Sequence, residues 1–152
     1  MYLRAVSLRS HLPGSVLSES SPLAGIDDAG IPSPTVLAAG DAFTAAGAGP
    51  TDVDAVECQD TDAARELLAW EELGLCAPGD QAAALADGRF GPGGPCPVNP
   101  SGGLLSKGEP LGASALGQVV SVVRRLRGGQ GRLVLTHTIG RGANASVALL
   151  SR

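Results

Sequence analysis

A chain of 152 residues fits one compact domain, because burial of apolar surface becomes thermodynamically comfortable at about 100 to 150 residues. The 11 Lys and Arg against 15 Asp and Glu leave a net charge of −4, which gives no general attraction to a polyanionic backbone and removes nucleic acid from the expected partners. Glycine (22) and proline (11) are abundant, yet 43% of the residues are hydrophobic, so these breakers punctuate packed elements, and no apolar run approaches the roughly 20 residues that cross a bilayer. The start Met1-Tyr2-Leu3-Arg4-Ala5 lacks the pattern of an export signal, making the cytoplasm the expected compartment. Cys58, Cys76 and Cys96 are odd in number and far apart, which points to reduced thiols. With two histidines they offer no metal coordination shell.

Tyr2 to Leu8 alternates around Val6 and predicts a strand, and residues 9–33, broken by Pro, Gly and Ser, predict a long loop. Ser33-Pro34 opens a helix, since Ser caps free amides and Pro tolerates the first turn. Val36, Ala39, Phe43 and Ala46 are its expected buried face, with Gly47 and Gly49-Pro50 as the stop. Val53 to Val56 predicts a strand that delivers Glu57-Cys58-Gln59-Asp60 to a cleft. A helix follows from Thr61 to Leu73, with Ala63, Leu67 and Trp70 inward, Arg65, Glu66 and Glu71 outward and Gly74 as its cap. Residues 77–103 read as a winding connection. Leu111, Ala115, Val119, Val122 and Leu126 predict a long helix whose last turn carries Arg124, Arg125 and Arg127, where its dipole favours cations. Arg132 to Ile139 and Ala145 to Leu150 predict two strands joined at Gly140-Arg141-Gly142. Strands alternating with helices imply a mixed α/β layered fold.

The run from Val98-Asn99-Pro100-Ser101-Gly102-Gly103 through Ser106-Lys107-Gly108-Glu109-Pro110-Leu111-Gly112-Ala113-Ser114 resembles the hallmark loop of the thiolase superfamily. The nearest likeness is to its sterol-carrier-protein-type and actinobacterial lipid-transfer branch. Residues 52–60, Glu72-Leu73-Gly74-Leu75-Cys76 and the turn His137-Thr138-Ile139-Gly140 extend the resemblance over nearly the whole chain. It implies a carboxy-terminal thiolase half-domain with a mixed five-stranded sheet packed by helices, all of 1–152 forming that one domain. The amino-terminal half, which carries the acyl-accepting cysteine in active relatives, is expected on a partner.

The family's reactive residues do not carry over intact. Glu109 stands where the Gly-His-Pro motif has histidine. Gln59 replaces the histidine of the His-Asp motif while Asp60 remains, and Thr138 occupies the place of the catalytic cysteine before the glycine turn. An imidazole can pass a proton near neutral pH, whereas an amide cannot cycle one and an ordinary carboxyl of pKa about 4.3 is ionised there. The resemblance therefore assigns any remaining acid, base or carbonyl-orienting capacity to Glu109, His137 and Asp60. Gln59, Gly102, Gly103, Lys107, Thr138 and Gly140 become the expected substrate-binding wall.

The plainer readings are a helix-start carboxylate for Glu109, amide capping for Asp60, a satisfied buried imidazole for His137 and a solvated cation for Lys107. Cys58 is a weak replacement nucleophile because no cationic or basic partner adjoins it in sequence. The glycines at 102 and 103 fall short of a nucleotide P-loop, although Lys107 suits a coenzyme A or carrier phosphate. Arg124, Arg125 and Arg127 read as a solvated helix end or a contact for an acidic partner. Taken together, the expected function is an accessory or noncatalytic subunit of a heteromer that condenses carbon units or transfers acyl groups. Its substrate would be a coenzyme A or phosphopantetheine thioester, with no permanently bound cofactor. The expected partner is a thiolase or ketosynthase-like protein, and an acyl carrier protein is a further candidate. The alternative is a subunit lending unusual acid or base residues to a split thiolase, a ketosynthase-like enzyme or a thioester aldolase.

Overall fold

The computed structural model describes residues 1–10, 32–140 and 144–152. Most of the expected 9–33 loop and the centre of the glycine turn lie outside that set, although Arg9 and Ser10 belong to the first strand and Ser33 to a helix cap. Four strands, β1 (Tyr2–Ser10), β2 (Ala55–Glu57), β3 (Leu133–Gly140) and β4 (Asn144–Ser151), form one sheet in the order β1-β4-β3-β2. β1 and β3 run antiparallel to β4, and β2 runs parallel to β3. A parallel pair needs a long crossover, which here spans the chain from residue 58 to 132.

The expected fifth strand is a correction: the described sheet has four. Its place beside β2 is held by a single parallel bridge from Val98 to Val56. Pro97 and Pro100 flank that bridge, and a proline has no N–H with which to extend a ladder.

The helix α1 (Pro34–Ala46) begins where Ser33 accepts a hydrogen bond from the Val36 amide at 3.3 Å. Its buried face is Thr35, Ala38, Ala39, Ala42, Phe43 and Ala46, and the run of alanines allows close approach to β1 and β4. Val36 lies off that face and is exposed, against expectation. In α2 (Ala63–Glu72) the N-cap is Asp62, which accepts from the Arg65 amide at 2.9 Å. Trp70 meets Phe90 edge to face, with ring centroids 4.7 Å apart. Arg65 does not stand free on the outer side, because it pairs with Glu72, and both side chains are largely buried.

Residues 77–103 hold more structure than expected: α3 (Gln81–Ala86) lies within them, and α4 (Gly103–Lys107) starts at their end. The last helix, α5 (Ser114–Arg127), starts three residues after Leu111, because Gly112 sits at φ +77°, outside helical space. Leu111 is consequently exposed, while Gln118, Val122 and Leu126 face the sheet. α1 and α2 cover one face of the sheet over a core of Val56, Leu135, Val147 and Leu149. α5 covers the other face over Ala55, Val134 and Leu150, lying along β2 and β3.

Candidate functional site

The end of β2 and the loop 99–109 are stitched together by side chains from consecutive residues. Buried Glu57 accepts from the Ser101 amide (3.1 Å) and hydroxyl (2.6 Å), and Lys107 Nζ lies 3.7 Å from the same carboxylate while donating to Ser101 Oγ at 2.5 Å. The Cys58 amide donates to Asn99 Oδ1 at 2.8 Å, and Asn99 Nδ2 donates to Glu66 Oε2 at 3.0 Å. Asn99 takes a φ of +49°, which its short polar side chain tolerates. Gln59 Nε2 donates to Glu109 Oε1 at 2.5 Å. Asp60 Oδ1 accepts from the Leu104 amide at 2.6 Å, so its capping role falls on α4. A Cβ on Gly103, at φ +63°, would collide with the Asp60 carboxylate, which fixes the residue there as glycine.

The structure therefore brings Gln59, Asp60, Gly102, Gly103, Lys107 and Glu109 into one cluster. Gln59 and Asp60 are buried at 3% and 2% exposure, whereas Glu109 is exposed on the loop before α5. Glu109 lies five residues before α5, so its partner is the Gln59 amide instead of the dipole of that helix. Gln59 Oε1 is buried and has no hydrogen-bond partner among the described residues. The pair thus holds a donor engaged with a replaceable, solvent-accessible carboxylate and an acceptor left free.

His137 and Thr138 stand on β3, beside and just beyond the pairing of Glu57 with Thr136. Their side chains go elsewhere. His137 is fully buried, its Nε2 lies 3.0 Å from Thr35 Oγ1 at the start of α1, and its Nδ1 has no described partner. Burial, helped by the nearby positive charge of Arg65, lowers its pKa to about 3, so the ring is neutral throughout the neutral range. Thr138 Oγ1 donates to Gln118 Oε1 of α5 at 2.8 Å, the buried Gln118 Nε2 has no partner among the described residues, and Gly140 closes β3.

Cys58 is buried, and its thiol is pushed far above the ordinary value by burial and by the charge of Glu66. A thiol in that state is a poor nucleophile. Sequence reasoning had placed Glu57 at a cleft and Asn99 in the motif loop without a role for either, and had not singled out Thr35 or Gln118. The one signal for Glu57 was a carboxylate in a strand otherwise made of Ala and Val, a place where an acid needs a specific partner.

Residues 17–150 match the family described as thiolase C-terminal domain-like. The chain is 41% identical over 114 residues to rat (Rattus norvegicus) sterol carrier protein 2, covering 70% of this chain and 21% of that protein. It is 41% identical over 126 residues to an acetyl-CoA acetyltransferase of Methanothermobacter thermautotrophicus, covering 78% and 33%. It is also 40% identical over 111 residues to the benzoylsuccinyl-CoA thiolase subunit BbsB of Thauera aromatica, covering 68% and 29%. The chain thus spans a third or less of the length of these relatives. Among solved structures, the Ltp2-ChsH2(DUF35) aldolase superposes with a TM-score of 0.78 at 25% identity, covering 98% of this chain and 38% of that one. The looped motif, the layered sheet and these likenesses agree: the chain belongs to the thiolase C-terminal domain-like family.

Proposed function

We propose that this domain is the carboxy-terminal half of a thioester-processing body, an accessory half that shapes the pocket while a thiolase or ketosynthase-like amino-terminal half supplies the nucleophilic cysteine. The observation that carries this reading is an apolar surface without a described partner on the α5 side of the sheet. Leu3, Val6 and Leu8 of β1 are paired with Leu150, Ala148 and Ser146, and Leu150 and Ala148 belong to the core under α5. α5 lies over β2 and β3, leaving the three β1 side chains 63%, 64% and 67% exposed. Leu116 and Val120 of α5 are exposed as well. Exposed apolar side chains on one face of an edge strand favour docking, since fully burying a Leu or Val side chain is worth about 1.5–3 kcal/mol.

The chemistry of the cluster supports the accessory role. Gln59 cannot cycle a proton, His137 is neutral and enclosed, and the Cys58 thiol is held protonated. The substrate class, a coenzyme A or phosphopantetheine thioester, is drawn from the acyl-CoA chemistry in the names of two relatives. The name of one relative as a subunit is in keeping with a two-part enzyme. A second reading rests on Glu109, the one carboxylate of the cluster both exposed and bonded to Gln59: there it acts as acid or base in a split thiolase or thioester aldolase.

Co-expression with an amino-terminal thiolase-like half, followed by mass measurement of the purified complex, tests the assembly. Leu3→Asp with Val6→Asp is expected to abolish the complex while the free domain keeps its circular dichroism, and a complex that survives these changes refutes the docking face. Turnover of assembled Glu109→Gln, Gln59→Ala and His137→Ala then separates the readings. Loss only in Glu109→Gln assigns it acid or base work, and unchanged turnover in all three leaves the domain a wall.

A further inference from the structure

The charges of the domain are sorted by position. Of its 11 lysines and arginines one, Arg141, lies outside the described residues, and four of the remaining ten are in ion pairs: Arg9 with Asp41, Arg65 with Glu72, Arg89 with Asp87 and Lys107 with Glu57. The other six, Arg4, Arg124, Arg125, Arg127, Arg132 and Arg152, have no ion-pair partner among the described residues. All six gather at the end of the fold where β3 begins and β4 finishes, opposite the Gln59–Glu109 cluster.

Several contacts bind them into one patch. The Arg152 amide donates to the Arg132 carbonyl at 3.1 Å, and Arg152 Nη1 lies 3.5 Å from where a Cβ on Gly129 would stand, against the turn that ends α5. That turn follows directly on the helix end that carries Arg124, Arg125 and Arg127. Arg4 Nη2 donates to the Ala46 carbonyl at 3.1 Å. Arg4, Arg132 and Arg152 line an open cavity of about 540 Å³.

Two carboxylates share this rim, and both are occupied. Asp52 Oδ2 accepts from the Gly49 amide at 2.8 Å, and Asp54 Oδ2 accepts from the amides of Arg132 (2.6 Å) and Leu133 (2.9 Å). Backbone amides therefore hold both acids in place, and Arg4, Arg124, Arg127, Arg132 and Arg152 are exposed, whereas Arg125 is half-buried with its Nε enclosed. Set against Asp52 and Asp54, five exposed arginines with no ion-pair partner among the described residues still leave this end locally positive in a chain of net charge −4.

We infer that this end of the domain is a docking surface for an acidic protein surface, one whose carboxylates span both the cavity and the last turn of α5. The extent of the patch decides against a small anion, since a phosphate seated among Arg4, Arg132 and Arg152 leaves the α5 arginines unused. Nucleic acid is disfavoured because no aromatic side chain lines the cavity to stack a base. Planar guanidinium forks suit bidentate carboxylate recognition. The inference is independent of the thioester reading, because the patch sits at the far end of the strands from the motif loop.

Fluorescence anisotropy of a labelled poly-glutamate peptide with the full-length protein tests it. Binding is expected at low salt, weakening about tenfold or more on going to roughly 0.2 M salt. Arg132→Glu with Arg152→Glu, and separately Arg124→Glu with Arg127→Glu, should each weaken it about tenfold, and Arg89→Glu should leave it unchanged. The milder Arg132→Gln with Arg152→Gln, checked by its unfolding midpoint, covers the case in which charge reversal unfolds the domain, and it too should weaken binding. Absence of binding at low salt, or patch variants that bind like the parent, overturns the inference. So does loss confined to the cavity pair with competition by inorganic pyrophosphate, which makes it a small-anion site, and so does tighter binding of duplex DNA.

Discussion

Replacing Gly103 by alanine attacks the joint between β2 and the motif loop with a single methyl group. At φ +63° an L-residue loses roughly 1–2 kcal/mol relative to glycine. The new Cβ would also collide with the carboxylate of Asp60, a side chain only 2% exposed whose Oδ1 accepts from the Leu104 amide at 2.6 Å. Displacing that carboxylate removes a hydrogen bond to a charged group, worth about 1.5–3 kcal/mol. The sum, about 2.5–5 kcal/mol, is a large share of the roughly 5–15 kcal/mol that holds a domain folded. Urea unfolding of Gly103→Ala, Asp60→Ala and the double variant measures it. Asp60→Ala alone should lose about 1–3 kcal/mol because the Leu104 N–H is left without its acceptor. With the carboxylate gone, the methyl group should cost only its backbone strain, so the double variant should be at least about 1 kcal/mol more stable than the two losses added together. Strict additivity, or a Gly103→Ala loss below about 1 kcal/mol, would refute the steric coupling.

His137 sets a pH dependence whose sign follows from its lowered pKa. The unfolded imidazole takes a proton near pH 6.5 while the folded ring does not until about pH 3, so stability falls as pH drops through that window. Between pH 6.5 and 5 the parent should lose about 1.6 kcal/mol more than His137→Gln, read as the difference between their urea unfolding free energies at the two pH values. The thiols give a second check. Cys58 is pushed up mainly by burial, and Cys96 is raised to about 11 by burial and the charge of Asp54, so a disulfide reagent at pH 8 should react slowly with the folded protein and with all three cysteines after unfolding. At the stitch, Glu57→Ala should lose about 2–3 kcal/mol, since it strips a buried acceptor from two Ser101 donors. Lys107→Ala should lose under about 1 kcal/mol, because that half-exposed ammonium is screened by solvent. Equal losses in urea titrations of the two would contradict that ranking.

The parts of the fold that were legible in the sequence are those fixed by local chemistry. Ser33-Pro34 states a helix start in the residues themselves, and the apolar set Leu133, Val134, Leu135 and Ile139 points to a central strand. The motif loop announced its neighbourhood through a fixed order of glycines and prolines. That the described sheet has four strands instead of five was not legible, because a ladder depends on amide pairing across the sheet and Pro97 and Pro100 act only once Val98 lies beside Val56. Nor was the Glu57, Ser101 and Lys107 network, whose carboxylate and hydroxyl are 44 residues apart in the chain. The start of α5 was placed too early because Leu111 has the right spacing for the stripe, and spacing carries no information about the φ of Gly112. For the site, sequence order could name Gln59 and Glu109 as replacements, but only the folded loop sets their atoms 2.5 Å apart.

The same geometry separates the polar groups at the end of β2 into two kinds. Glu57 and Asp60 are spent on backbone amides of the loop, and Asn99 is spent on the Cys58 amide, so each is a structural bond whose rupture loosens the turn. Gln59 differs. Its donor faces a carboxylate that is itself exposed and therefore exchangeable, and its acceptor is unclaimed among the described residues. On the proposed reading, a thioester carbonyl entering from the docked half competes with Glu109 for the same Nε2 proton. The domain would then orient a carbonyl without ever exchanging a proton with it, which is the work an amide in place of an imidazole is fitted to do.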